Sequence, residues 1–149
     1  MKIALGCDHG GYELKEELKK YFDEEGISYE DFGCFGESCD YPVIAAKLCR
    51  QIVAGEYEKG ILICGTGIGI SMAANKIKGI RAACCSDYFS AKYTRMHNNA
   101  NVLCMGGRVV GPGLAKELAH VFLTTEFEGG RHQRRIDMLS QIEDGTFPE

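Results

Sequence analysis

The stretch Lys59–Lys76, KGILICGTGIGISMAANK, constrains the fold more than any other part of the chain. Ile61-Leu62-Ile63 is a short apolar run of the kind that a strand buried on both faces shows. Cys64 and a glycine-rich turn, Gly65-Thr66-Gly67-Ile68-Gly69, follow it. Beyond the turn, Ile70, Ala73, Ala74 and Ile77 recur at helical spacing. This order predicts strand, tight turn, helix, with Cys64 at the carboxyl end of the strand facing a helix N-terminus. Unpaired N–H groups and the positive end of the dipole favour negative charge there: a phosphate, an oxyanion, or the Cys64 thiolate. Three glycines in five residues weaken a helix start and imply that something approaches the backbone closely. A buried small hydrophobe at Cys64 and close helix–strand packing at the glycines are the competing explanations.

The same alternation runs through the rest of the chain. Lys2–Cys7 reads as a strand, Asp8–Gly11 as a turn, and Tyr12–Glu25 as an amphipathic helix with Leu14, Leu18, Tyr21 and Phe22 on one face. The lysines and glutamates of that helix read as a solvated face, and Gly26 as its stop. Ile27–Phe32 is a second strand and Gly33–Ser38 a loop. Asp40-Tyr41-Pro42 opens a helix to about Ala54, with Asp as cap and Pro in the first turn. Gly79–Cys84, Asp87–His97, Asn101–Met105 and Pro112–Leu123 follow as strand, helix, strand, helix, and a last helix spans about Arg131 to Ile142. Strands alternating with helices imply right-handed crossovers and a parallel sheet covered on both faces. The expected architecture is one α/β domain over residues 1–149, a three-layer αβα sandwich with a five-stranded parallel, Rossmann-like sheet.

Composition narrows the class. A net charge of −4 argues against a general nucleic-acid binder, and no apolar run reaches membrane-spanning length. With no signal-peptide pattern, a cytoplasmic protein is expected. The eight cysteines form no C-x-x-C pair and no Cys/His group of zinc spacing, so reduced core thiols are expected rather than disulfides. Cys34 and Cys39, in the loop, are the two that read as oxidation-prone.

Further candidate chemistry lies outside the central stretch. Asp8-His9 follows a strand and belongs on the same sheet edge as Cys64, where α/β folds bind ligands; a capping Asp with an exposed His is the alternative. His97-Asn98-Asn99 ends a helix, where capping competes with function, and His97 gains a role only if it converges on Cys64. His120 reads as a packed or half-buried helix residue. Arg131 and Arg135, four apart, share one helix face and suit a phosphate dianion, whereas Arg134 points elsewhere; a solvated basic turn is the alternative. Arg108, past the fifth strand, adds positive charge at the carboxyl edge. No carboxylate/histidine cluster for a divalent metal pair is visible, and G-x-S-x-G does not occur. A dinucleotide site fits poorly: a G-x-G-x-x-G match from Gly65 fails at Ile70, although Asp87 lies near where a ribose-binding acid is expected.

Together the motifs resemble the ribose-5-phosphate isomerase B family, which includes galactose-6-phosphate isomerase subunits. The matching pieces are GCDHGG at 6–11, DYP at 40–42, GILICGTGIGISMAANK at 60–76, GIRAA at 79–83, HNNANVL at 97–103, GGRVVG at 106–111 and GGRHQRR at 129–135, covering nearly the whole chain in order. The resemblance implies a metal-free, cofactor-free aldose–ketose isomerase acting on ribose 5-phosphate and ribulose 5-phosphate in the non-oxidative pentose phosphate pathway. It implies a homodimer with interface active sites, sometimes paired into tetramers, and a C-terminal helix over about 131–142 that reaches a partner subunit. By the same resemblance Cys64 looks like the base and His97 like the acid that opens the furanose. Asp8, His9, the turn Gly65, Thr66, Gly67, Ile68 and Gly69, and Asn98, Arg108, Arg131 and Arg135 look like substrate ligands. One branch of the family carries a glutamate shortly after the glycine turn; Ile70 stands here, which puts this chain on the cysteine side. The expected chemistry is a cis-enediolate held by the turn amides, with Asp8 or a water taking the O1 proton and Thr66 donating or positioning. A hexose 6-phosphate such as galactose or allose 6-phosphate is the alternative substrate, and a non-catalytic nucleotide-binding module the alternative class.

Overall fold

A computed structural model describes residues 1–148. Five strands form one parallel sheet: β1 (Lys2–Cys7), β2 (Ser28–Asp31), β3 (Lys59–Cys64), β4 (Ala82–Cys84) and β5 (Val102–Gly106), in the order β2-β1-β3-β5-β4. Six α-helices follow or join them: α1 (Tyr12–Glu25), α2 (Tyr41–Val53), α3 (Ile68–Ala74), α4 (Tyr88–Asn98), α5 (Pro112–Thr124) and α6 (Arg131–Asp144). A single 3₁₀ turn, His9–Gly11, separates β1 from α1.

The central strands are apolar on both faces because both are covered. Ile61 and Ile63 of β3 point with Ile3, Leu5, Leu103 and Met105 into a core shared with α1 and α5. Leu62 and Cys64 point the other way, with Ala4, Val102 and Cys104, into a core shared with α2 and α3. The αβα sandwich and its parallel sheet are as the sequence predicts. The first crossover leads to β2 on one side of β1 and the next returns to β3 on the other. The loops after β1 and β3 therefore diverge at a topological switch point, where open α/β sheets leave a crevice.

Several local expectations need correction. The helix after the glycine turn stops at Ala74 with Asn75 as its cap, short of Ile77, because the Asn75 side chain pairs with both backbone groups of Ala82 instead. The fourth strand begins at Ala82 rather than Gly79, which sits at φ +90° in the preceding turn. Asp40 occupies the cap position of α2 but makes no side-chain cap bond. Lys15 is not solvated: it is fully buried in α1 and its ammonium donates to Asp31 Oδ1 at 2.7 Å and to the Cys34 carbonyl, tying the 31–36 loop to the helix. His120 is exposed, with Nδ1 lying 3.1 Å from the Tyr21 hydroxyl.

All eight cysteines are free. Burial pushes the Cys49 and Cys85 thiols up to about 12, as befits inert core residues. The expectation of an oxidation-prone loop thiol fails at Cys34, which is 1% exposed; Cys39 is half-buried, and desolvation followed by the neighbouring Cys34 thiol pushes it up to about 12.

Candidate active site

Three strand-end turns meet at the carboxyl edge of the sheet, after β1, β3 and β5. A Cβ on Gly10 would lie 2.9 Å from the Gly65 nitrogen, and one on Gly107 would lie 2.5 Å from the Gly10 carbonyl. Only glycine lets these turns touch. Backbone bonds complete the seam, with Gly107 N–H donating to the Cys64 carbonyl at 2.8 Å and Arg108 N–H to the Gly65 carbonyl at 3.0 Å.

Cys64 ends β3 and is 5% exposed. Its Sγ accepts the Gly67 N–H at 3.1 Å, so the turn folds back on the sulfur. That geometry needs φ +81° at Gly67, whose Cβ would also meet the Met105 carbonyl carbon at 2.7 Å. Thr66 Oγ1 accepts the Ile68 N–H at 3.2 Å, leaving its own proton free to donate. The N–H groups of Gly65, Thr66 and Gly69 find no acceptor among the described residues. What presses on Gly69 is the Tyr41 ring, 2.9 Å from where its Cβ would stand. Part of the glycine pattern therefore reflects internal packing rather than a ligand.

Asp8 is buried beside this turn and its Oδ1 accepts the Gly10 N–H at 2.8 Å, so the capping alternative and the edge position are both realised. His9 is exposed, its Nδ1 accepting the Cys39 N–H at 3.4 Å. Arg108 reaches back along Gly65. His9, Gly10, Gly107 and Arg108 line one polar hollow of about 360 Å³.

The other expected residues lie elsewhere. α4 runs back from the carboxyl edge, so His97 and Asn98 sit at the amino edge. There the Asn101 carbonyl accepts the Gly60 N–H at the start of β3, and the Asn98 carbonyl accepts Arg81 Nε. About four residue steps of strand, roughly 13 Å, separate that edge from Cys64. Within one chain His97 does not converge on Cys64. It stacks instead on His132 of α6, with centroids 4.0 Å apart and planes 13° apart, and Tyr93 meets it edge-on at 5.0 Å. Arg131 and Arg135 flank His132 and are exposed, while α6 buries only His132 and Ile136. Burial, then the His97 imidazole and the Arg131 guanidinium, push the His132 imidazole below its ordinary value.

The fold also brings together a histidine/carboxylate group: donor atoms of His97, Glu128 and His132 lie within 4.8 Å of one another, a set of the size for one ion rather than a metal pair. Sequence spacing hides it because β5, α5 and their connecting loops separate the histidines. Asp87, weighed as a ribose-binding acid, caps α4 by accepting the Ser90 N–H at 2.7 Å. The residues missed are Tyr41, within the DYP motif, and His132, within GGRHQRR; their motifs contained the signal, but nothing in the spacing distinguished them.

The chain matches the family model described as Ribose/Galactose Isomerase over residues 3–139. It is 48% identical to the ribose-5-phosphate isomerase B of Escherichia coli, over 95% of this chain and 96% of that one. It is 41% identical to the D-erythrulose-4-phosphate isomerase of Pectobacterium atrosepticum, over 96% and 95%. The solved structure of ribose-5-phosphate isomerase B from Clostridium thermocellum superposes with a TM-score of 0.95 at 46% identity, covering 97% of this chain and 99% of that one.

Proposed function

The chain belongs to the ribose/galactose isomerase family, and from that premise we propose that it interconverts D-ribose 5-phosphate and D-ribulose 5-phosphate in the non-oxidative pentose phosphate pathway, in the cytoplasm. That it is an aldose–ketose isomerase of a sugar phosphate rests on the family. The pentose is the finer reading, favoured by the names of relatives at 48% and 46% identity. The observation that carries the chemistry is the Cys64 sulfur, fixed by the Gly67 N–H inside a turn whose Gly65, Thr66 and Gly69 N–H groups have no acceptor among the described residues.

The proton path follows from these groups. His97 donates a proton to the ring oxygen while buried Asp8, or a water on it, takes the O1 proton, giving the open aldehyde. The Cys64 thiolate then removes the C2 proton, and the electron pair moves onto O1 to give a cis-enediolate. The N–H groups of Gly65, Thr66 and Gly69 and the Thr66 hydroxyl hold the developing charge without reorganising. Cys64 returns the proton to C1 while the O2 proton passes to O1, so that C2 becomes the carbonyl and C1 the hydroxymethyl of the ketose. His9 and Arg108 on one side and Asn98, Arg131 and Arg135 on the other bind the sugar and its phosphate, and this remote binding energy orients the reacting carbons. None of these steps calls for a metal or cofactor.

Because one chain keeps Cys64 and His97 at opposite sheet edges, the reading requires a second copy. In a two-fold dimer each carboxyl edge would face the partner's amino edge and α6. Support comes from apolar side chains left in water next to both halves: Ile68 and Met72 on α3, Leu139 and Ile142 on α6.

The test is ribulose 5-phosphate formation in EDTA by wild type and Cys64→Ala. Wild type should turn over, and the variant should lose about 10²–10⁴-fold in kcat, the range for a positioned base, with KM little changed. Absence of wild-type turnover on ribose 5-phosphate, with turnover of another aldose phosphate, would reassign the substrate. A near-normal rate in the variant would remove Cys64 from the base role.

A further inference from the structure

The chain brings three metal-competent groups together where α4 ends and α6 begins. One donor atom each from His97, Glu128 and His132 falls within a 4.8 Å circle. His132 Nε2 is shut away from water, in a side chain 6% exposed, and makes no hydrogen bond with any of the described residues. The Glu128 Oε2 carboxylate oxygen lies 3.4 Å from it but out of line for one. A buried imidazole nitrogen without a partner is costly, so the pocket favours whatever supplies one.

The donor set defines the class of ligand. Two imidazoles and one carboxylate suit a borderline divalent ion of the zinc type, whereas magnesium and calcium take all-oxygen sets. The frame is fixed on two sides. Glu128 N–H donates to the Met96 carbonyl at 3.1 Å, holding the carboxylate's residue against the α4 terminus, and His132 N–H donates to the Gly129 carbonyl at 3.1 Å. The two rings are nearly parallel, so one must turn for both to aim at a common ion. His97 is the half-buried member and can do so, while enclosed His132 stays. Arg131 and Arg135 oppose a cation and restrain its affinity, which keeps the ion exchangeable.

We propose that His97, Glu128 and His132 form a site for a zinc-class divalent ion that inhibits the isomerase rather than assisting it. The ion occupies the His97 nitrogen that must carry the ring-opening proton. This consequence for turnover rests on the role given to His97 above; the binding itself does not.

The experiment uses the full chain, stripped with chelator, dialysed and titrated with Co²⁺ and then Zn²⁺. One cobalt per chain should bind with a visible ligand-field spectrum and no sulfur charge-transfer band, and zinc should displace it. Glu128→Gln should weaken binding at least about tenfold, the loss that even outer-shell partners cause. Glu128→Gln should keep the basal rate in EDTA. Added zinc should inhibit wild type reversibly, and the inhibition constant should shift by the same factor in the variant. No cobalt spectrum, or a sulfur-ligated one unchanged by Glu128→Gln, would overturn the site and place the ion on thiols such as the exposed Cys84. Cobalt bound as described, with turnover untouched by zinc, would uphold the site and remove His97 from the acid role.

Discussion

At Gly67 a single residue joins stability to chemistry. Its positive φ and the Met105 carbonyl 2.7 Å from a Cβ position leave no room for a side chain, and the same conformation aims its N–H at Cys64. Gly67→Ala should lower stability by about 2 kcal/mol or more in denaturant unfolding, and also lose activity in the fraction that remains folded. A variant of unchanged stability would show that the turn can relax. Arg135, proposed above as a phosphate anchor, is exposed and without an ion-pair partner among the described residues. Arg135→Ala should chiefly raise KM for the phosphorylated sugar; a loss confined to kcat would contradict an anchoring role. At this scale the sequence was legible where chemistry and backbone coincide. The strand-end Cys64 and the glycines after it stand where the pattern placed them. It was not legible that Tyr41 presses on Gly69, since the contact joins segments far apart in the chain.

Among the elements, α1 departs most from its sequence pattern. Lysine at position 15 looks like one more polar residue on an amphipathic helix, yet the end of β2 supplies it with the Asp31 carboxylate and the loop that follows with the Cys34 carbonyl. Burial by itself would raise the Asp31 carboxyl, but the Lys15 ammonium, the Gly33 N–H and Lys19 outweigh it and hold the carboxyl below its ordinary range. A depressed carboxyl stabilises the fold fully above its unfolded value, near about 3.9, and the contribution fades as pH falls through the lower folded value. Acid titration should therefore show a loss of stability beginning below about pH 4, absent in Asp31→Asn. Lys15→Met should cost about 3 kcal/mol at neutral pH, measured by denaturant unfolding, because it strands a mostly buried carboxylate. A neutral effect would mean that Lys19 alone satisfies Asp31. The short α3 carries a related lesson. Its apolar spacing continues to Ile77, but a local competition, Asn75 binding Ala82, ends it early.

Over the whole molecule, the parallel sheet and its two covered faces were readable because each βαβ unit announces itself through period and turn residues. The site was readable only as an inventory. Asp8, His9, the Cys64–Gly69 turn and Arg108 gather at one edge, while His97, Asn98, Arg131 and Arg135 gather at the other. No spacing rule reports which edge a helix end reaches once crossovers are placed, nor that a site can be divided between copies. The decisive measurement is complementation. Cys64→Ala and His97→Ala chains, each inactive alone, are unfolded together, refolded as a mixture and assayed for ribulose 5-phosphate. If each site draws Cys64 from one chain and His97 from its partner, half the dimers are mixed and each holds one intact site, so activity returns to about a quarter of the wild-type rate. A mixture that forms mixed dimers and stays as inactive as its parents would contradict the shared site.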